Sequence, residues 1–201
     1  MIALVPVKAL SRAKTRLAGA LDQTARARLI HDTLRRTLQT LQQVEAIGEV
    51  VVITRDDEVN RWAIGWGAHV IRERGEGLNE ALREARDAFT GAPALLAVPA
   101  DLGWPAAEDI QTMIELAGAT PELGAPCVVI APDRHESGTN ALLLRPPGVI
   151  DFAFGPQSAA RHAALAHEKG VHAILYHSAS LSLDVDEPED LLLYEAAPYI
   201  L

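Results

Sequence analysis

Apolar and polar positions along the chain follow two patterns, short unbroken apolar runs and longer stretches that repeat at helical spacing. Residues 2–7, 50–54, 68–72, 94–98, 127–131, 140–145 and 171–176 are the short runs, and they predict buried strands. Helical spacing marks residues 22–44, where Leu34, Leu38 and Leu41 recur on one face, and residues 56–66 and 78–89. Pro105 opens a further predicted helix running to Leu116. Another covers 158–169 and is stopped by Gly170. A last one begins at Pro188. Strand and helix in this rhythm imply crossover units, hence an α/β fold with a mostly parallel twisted sheet covered on both faces. The stretch 140–176 breaks the rhythm and predicts a small β-hairpin insertion. No repeat, linker or low-complexity tract divides the chain, so a single domain, 1–201, is expected. Trp62 and Trp66, at helical spacing, are expected to pack rather than to stack on a ligand.

Length and composition support this picture. The 201 residues are 49% hydrophobic and 22% charged, enough apolar material for a core and too little charge for disorder. Formal net charge is −9, which argues against a nucleic-acid polymer as partner. The charge is unevenly spread: residues 1–36 hold eight cations and two acids, and the rest holds ten cations and 25 acids. A basic beginning on an acidic chain points to a local task for anions. Cys127 stands alone, so an intramolecular disulfide and a cysteine-based zinc site are excluded, and the seven histidines form no metal motif. The first apolar run is too short for a signal peptide, and no run approaches a membrane span. A cytoplasmic protein without membrane attachment is the expectation.

Ligands of open α/β sheets bind outside the carboxyl ends of the strands, so the loops there are the candidates. After the first strand come Val7, Lys8, Arg12, Lys14 and Arg16 in a loop without glycine. It is neither a Walker loop nor a dinucleotide fingerprint. Its cation density favours a polyphosphate grip over a merely solvated basic loop. Pro99 and Asp101 follow the fourth strand, and Asp101 is either a helix cap or a magnesium carboxylate. Asp184 and Asp186 face the same way if extended, and like charges so close invite a cation. Glu189 and Asp190 fit the first turn of a helix, where the macrodipole favours acids. Thr139 and Gly155 lie in two further loops. Ser158 opens a helix, either as a simple cap or with free amides for an anion. His162, one turn on, either faces the ligand or packs in the core. Gly75, Gly77 and Asn79 precede another helix and allow a ring or ribose to approach.

Taken in order, Val5-Pro6-Val7-Lys8, Ser11-Arg12-x-Lys14-Thr15-Arg16-Leu17, Gly75-x-Gly77-Leu78-Asn79, Pro99-x-Asp101-Leu102, Gly138-Thr139-Asn140, Gly155-x-x-Ser158 and Leu183-Asp184-Val185-Asp186-x-Pro188-x-Asp190-Leu191 span nearly the whole chain. This array resembles the 2-phospho-L-lactate guanylyltransferases of coenzyme F420 biosynthesis. More broadly it is similar to the nucleotidyltransferases that include the molybdopterin guanylyltransferases. One departure is visible: Asp101-Leu102-Gly103-Trp104-Pro105 stands where the family pattern has Asp-Leu-Pro, which reshapes the loop and keeps the carboxylate.

The resemblance implies a Rossmann-like nucleotidyltransferase domain that uses GTP and Mg²⁺. A phosphorylated three-carbon acid (2-phospholactate, phosphoenolpyruvate or 3-phosphoglycerate) would attack the α-phosphorus and release pyrophosphate. It assigns Asp101, Asp184 and Asp186 to the metal, with Lys8, Lys14 and Asp101 as the catalytic groups. Val7, Lys8, Arg12, Lys14, Arg16, Gly77, Asn79 and Pro99 would hold the nucleotide, and Thr139, Gly155 and Ser158 the acceptor. A homodimer, and hand-over of an unstable product to the next enzyme, are compatible with it. The rivals are transfer to a sugar phosphate or molybdopterin, and a regulator that binds GTP without turnover. Paired acids opposite a basic loop favour an enzyme.

Overall fold

The computed structural model describes residues 1–75, 77–119 and 124–196. Seven strands form one sheet: β1 (Ile2–Pro6), β2 (Glu49–Thr54), β3 (His69–Arg72), β4 (Leu95–Ala97), β5 (Cys127–Pro132), β6 (Thr139–Arg145) and β7 (His172–Leu175). Their spatial order is β3-β2-β1-β4-β6-β5-β7. All neighbours are parallel except β6, which runs antiparallel to both β4 and β5. The antiparallel element is therefore the β5–β6 hairpin, built into the sheet itself.

Alternation along the strands sorts the core into two layers. Ala3 and Val5 of β1 and Val50 and Val52 of β2 face one cluster, and Leu4, Val51 and Ile53 face the other. Three helices, α1 (Gln23–Gln43), α2 (Asp57–Gly65) and α4 (Ala107–Gly118), cover the first layer through Ile30, Leu34, Leu38, Val59, Ala63, Ile110 and Met113. On the second lie α3 (Leu78–Asp87) and α5 (Ser158–Glu168), through Ala81, Leu82, Ala85, Ala159 and Ala166. Acidic caps start two of these helices. The Asp22 carboxylate accepts from the Ala25 N–H at 2.7 Å, and Asp56 accepts from Glu58 and Val59. Trp62 and Trp66 pack edge-on against His31 of α1, as expected of core-facing rings.

Two local expectations are corrected. Helix α4 starts at Ala107, behind an extended Ala106, so Pro105 precedes the helix instead of opening it. The Pro105 carbonyl accepts from Thr40 Oγ1 at 3.0 Å, which pins the incoming loop to α1. Strand β7 is shorter than its apolar run and ends at Leu175. A 3₁₀ turn (Thr15–Gly19) and the short helix α6 (Ala179–Ser182) are additions, too brief for periodicity to register. The last helix, α7, spans Pro188–Ala196. Among the described residues no helix is long and apolar enough to cross a membrane.

Sheet order locates the functional region. From β1 the chain winds outward through β2 and β3, then returns to place β4 on the other side of β1. The loops leaving β1 and β4 therefore diverge in opposite directions, and the crevice between them is where open α/β sheets take ligands.

Candidate active site

A cleft of about 950 Å³ opens at that crevice. Val7, Lys8, Arg12, Lys14 and Arg16 line it from the loop after β1, and Pro99 and Asp101 from the loop after β4. Thr139, Gly155, Ser158, Asp184, Asp186 and Gly77 complete it. Gly77 (φ 120°) and Gly155 (φ 123°) both sit in backbone conformations that side-chain-bearing residues rarely adopt, so a Cβ there would strain the cleft's rim.

The floor of the cleft is a charge cluster. Lys14 Nζ donates to Asp101 Oδ2 and to Asp186 Oδ1, each at 2.8 Å, and its side chain is 4% exposed. The lysine is thus engaged by carboxylates, unlike Lys8 and Arg12, which stand exposed on the rim. Its backbone is left-handed (φ 53°), a costly conformation for a non-glycine residue, and the two ion pairs hold it there. Burial opposes the ammonium's charge, but Asp101 and then Asp186 overcome this and hold its pKa above the ordinary lysine value. Burial likewise opposes the Asp101 carboxylate, yet Lys14, with Lys8 behind it, keeps its pKa below the usual range. Asp101 Oδ1 is closed off from solvent and has no hydrogen-bond partner. Asp184 has no cation against it among the described residues: burial first, then the charge of Asp101, pushes its pKa up to about 6, although Asn140 Nδ2 donates to it at 3.2 Å. Arg16 lies farther out, paired with Glu187 at 3.2 Å.

Backbone pairing brings these acids together. Leu102 and Asp184 form an antiparallel bridge, the Gly103 N–H donates to the Leu183 carbonyl at 2.9 Å, and the Val185 N–H donates to the Asp101 carbonyl at 3.0 Å. The inserted Gly103-Trp104 makes this docking tight. A Cβ at Gly103 would lie 3.3 Å from Leu183 and Tyr194. The Trp104 ring stacks on Tyr194 at 5.4 Å, and the Arg36 guanidinium lies 3.8 Å from its centre. Trp104→Ala removes a half-buried ring and a cation–π contact, and is expected to lower the unfolding free energy by about 2 kcal/mol in urea titration.

Two residues that sequence patterns assigned differently act as supports. Asn79, expected near the nucleotide, is not among the residues that line the cleft, and both ends of its amide bond the Phe154 backbone, at 3.0 and 2.8 Å. Asp190 is more than an acid in a helix's first turn. It is buried, accepts the N–H groups of Asp186 and Glu187 at 3.0 and 2.7 Å, and pairs with Arg134 at 2.6 Å. Its position three residues into a helix is the reciprocal-cap signal that could have marked this role. Arg55 and Glu73, paired at 2.9 Å, also line the cleft and were missed; both lie just beyond strand ends, where the positional rule points.

His162 is fully buried against Phe154. Burial, then the nearby Arg161 charge, lowers its pKa from about 6.5 to about 4. The unfolded chain therefore binds a proton that the folded chain refuses across that window, and stability rises with pH through it. The contribution is complete above pH 6.5 and is lost as pH falls toward 4, about 3 kcal/mol in all. Urea unfolding of wild type and His162→Asn over this range is expected to show the slope in the first and its loss in the second.

Solved structures share this architecture. A CMP-2-keto-3-deoxy-manno-octonic acid synthetase in complex with CTP superposes with a TM-score of 0.68, covering 100% of this chain and 99% of that one at 15% identity. A 4-diphosphocytidyl-2C-methyl-D-erythritol synthase from Anaerococcus prevotii gives 0.67, covering 98% and 95% at 10% identity. Sheet, crevice and these likenesses define the nucleotidyltransferase fold. Residues 1–194 match the family described as "Guanylyl transferase CofC like", and the chain belongs to that family. It is 42% identical to the phosphoenolpyruvate guanylyltransferase of Rubrobacter xylanophilus over 199 residues, 98% of this chain and 94% of the relative. With that of Sphaerobacter thermophilus it shares 41% over 192 residues, 94% and 90% of the two chains. The protein is a nucleotidyltransferase of the guanylyl-transferring kind.

Proposed function

We propose that this enzyme transfers GMP from GTP to the phosphate of phosphoenolpyruvate, releasing pyrophosphate and leaving a diphosphate-linked guanosine. The observation that carries it is the meeting, in one cleft, of a basic rim, a carboxylate floor and a hydroxyl-bearing wall. Relatives over 40% identical along nearly the whole chain carry the phosphoenolpyruvate name, which favours that acid over 2-phospholactate and 3-phosphoglycerate.

In this reading Lys8, Arg12 and Arg16 receive the triphosphate and offset the charge of departing pyrophosphate. An acceptor phosphate oxygen attacks the α-phosphorus while the bond to the β-phosphate breaks. No general base is required, because the acceptor is already an anion. Catalysis is then alignment and electrostatics. Thr139, Gly155 and Ser158 orient the acceptor. The floor fits a divalent cation: Asp101 has a buried oxygen with no hydrogen-bond partner, and the charge of nearby Asp184 is itself unfavourable there. Magnesium suits such a floor, since it takes one or two carboxylates plus phosphate and water oxygens. Asp101 with Asp184 or Asp186 would hold it, and it would neutralise phosphate charge. Lys14 keeps Asp101 ionised for that purpose. We place the reaction in the cytoplasm, in coenzyme F420 biosynthesis.

Incubation with GTP, magnesium and each of the three acids, read by mass spectrometry and pyrophosphate release, tests this. Phosphoenolpyruvate is expected to give the largest kcat/KM. Turnover only with a sugar phosphate or molybdopterin, or tight GTP binding with no pyrophosphate from any acid, would overturn it.

A further inference from the structure

One buried group takes no part in that scheme, yet touches its hydroxyl wall. His162 Nε2 accepts the backbone N–H of Ala153 at 2.9 Å. A ring nitrogen that accepts carries no proton, so a neutral His162 must bear its proton on Nδ1. Nδ1 lies 3.1 Å from Thr139 Oγ1, and in this tautomer the ring donates to Thr139. Ser158 Oγ donates to the same oxygen at 3.0 Å. Thr139 and Ser158 thus share two hydroxyl protons, one of which is used between them and none of which goes to the histidine. One proton is left over. Neither hydroxyl has a further partner among the described residues, and both residues line the cleft.

The opposite tautomer would invert the wall. With its proton on Nε2, the ring would accept the Thr139 proton, Thr139 and Ser158 would spend both of theirs internally, and the cleft would meet only lone pairs. Those repel a carboxylate or phosphate oxygen. Ala153 decides between the two states, and its loop is held by the two hydrogen bonds between the Asn79 amide and the Phe154 backbone. Asn79 thereby serves the acceptor from outside the cleft.

We propose that His162 is a positioning residue: held as the Nδ1–H tautomer by Ala153, it leaves one hydroxyl proton of the Thr139–Ser158 pair free to bond an oxyanion of the acceptor. The inference rests on reading Thr139 and Ser158 as acceptor contacts.

The tautomer is read directly from two-bond ¹H–¹⁵N correlation of protein labelled in its histidine rings. Burial holds the His162 pKa down to about 4, so its ring is expected to be neutral at about pH 5, and its signals are assigned by their loss in His162→Asn. An Nδ1–H pattern is expected, and an Nε2–H pattern would overturn the proposal. Kinetics supply the second arm. His162→Asn keeps an N–H near Nδ1, whereas His162→Gln keeps an acceptor near Nε2 and loses the donor. The Gln variant is expected to raise the acceptor KM about tenfold or more with the GTP KM little changed, and the Asn variant to restore most of that loss. Equal losses in both variants, or parallel rises in both KM values, mean a merely structural histidine and overturn the proposal. Thr139→Val gives the separate check on the underlying reading. If it leaves the acceptor KM unaltered while the tautomer is Nδ1–H, the acceptor assignment has failed and the hydrogen-bond inference about the ring has not.

Discussion

Asp101→Asn should lower the rate of pyrophosphate release about 10³-fold while leaving the fold intact. The substitution is isosteric, and its amide oxygen can still accept from Lys14, which also keeps Asp186 at 2.8 Å. What disappears is the negative charge that the loop after β4 brings to the cleft floor. GTP affinity should fall much less than turnover, because Lys8, Arg12 and Arg16 on the rim are untouched. The same change relieves Asp184 of the charge that, after burial, does most to raise its pKa. Its titration should therefore move back down toward the ordinary carboxylate value. Near-normal pyrophosphate release by the variant with every phospho-acid would sink the assignment of Asp101 to the reaction.

Lys14→Met should be the most destabilising single change in the cleft, by about 3 kcal/mol at pH 7. The buried ammonium is the only cation bonded to Asp101 and Asp186 among the described residues, and without it three aspartates face one another. The sign with pH follows from the shifts. Lys14 is raised above its ordinary 10.5, so its contribution is fully present below that pH and is lost only as pH climbs through the folded value. Asp101 is held below 3.8, so its share is present above that and lost on acidification. In the variant the mutual repulsion raises the carboxylates instead. The unfolded chain then binds fewer protons than the folded one, and stability falls as pH rises across the carboxylate range. Urea unfolding should show a larger deficit at pH 7 than at pH 5, and added magnesium should recover part of it. A variant as stable as wild type at both pH values would refute the charge-cluster account.

The outcome at Lys14 shows where sequence reading reaches its limit. Charge density after the first strand correctly placed the loop at the cleft, and Lys14 was grouped with its neighbours as a phosphate cation. Its partners lie 87 and 172 residues away. Nothing local announces that Lys14, two residues beyond the exposed Arg12, turns inward; that depends on β4 lying beside β1 and on the bridge that carries Asp184 to Leu102. Asn79 makes the same point. Its motif was visible, but the partner that occupies its amide, Phe154, arrives through tertiary packing. The Gly103-Trp104 departure was legible as an anomaly, and its effect, a stack on Tyr194 under Arg36, was not.

By itself the sequence determined the strands, the main helices, the parallel crossover architecture and the loops that hold the chemistry. Hydrophobic runs, helical periodicity and caps are local, and each is written in a few neighbouring residues. It also contained the ordered motifs on which the family resemblance rests. Tertiary structure alone decided which charges meet. Strand order put Asp101, Asp184 and Asp186 around one lysine, and burial raised one carboxylate while lowering another. It also turned a histidine that could be read two ways into a buried ring that meets the Ala153 N–H and the Thr139 hydroxyl. Coulomb energies and hydrogen-bond directions depend on separation in space and on exclusion of water, and neither quantity exists until the chain has folded.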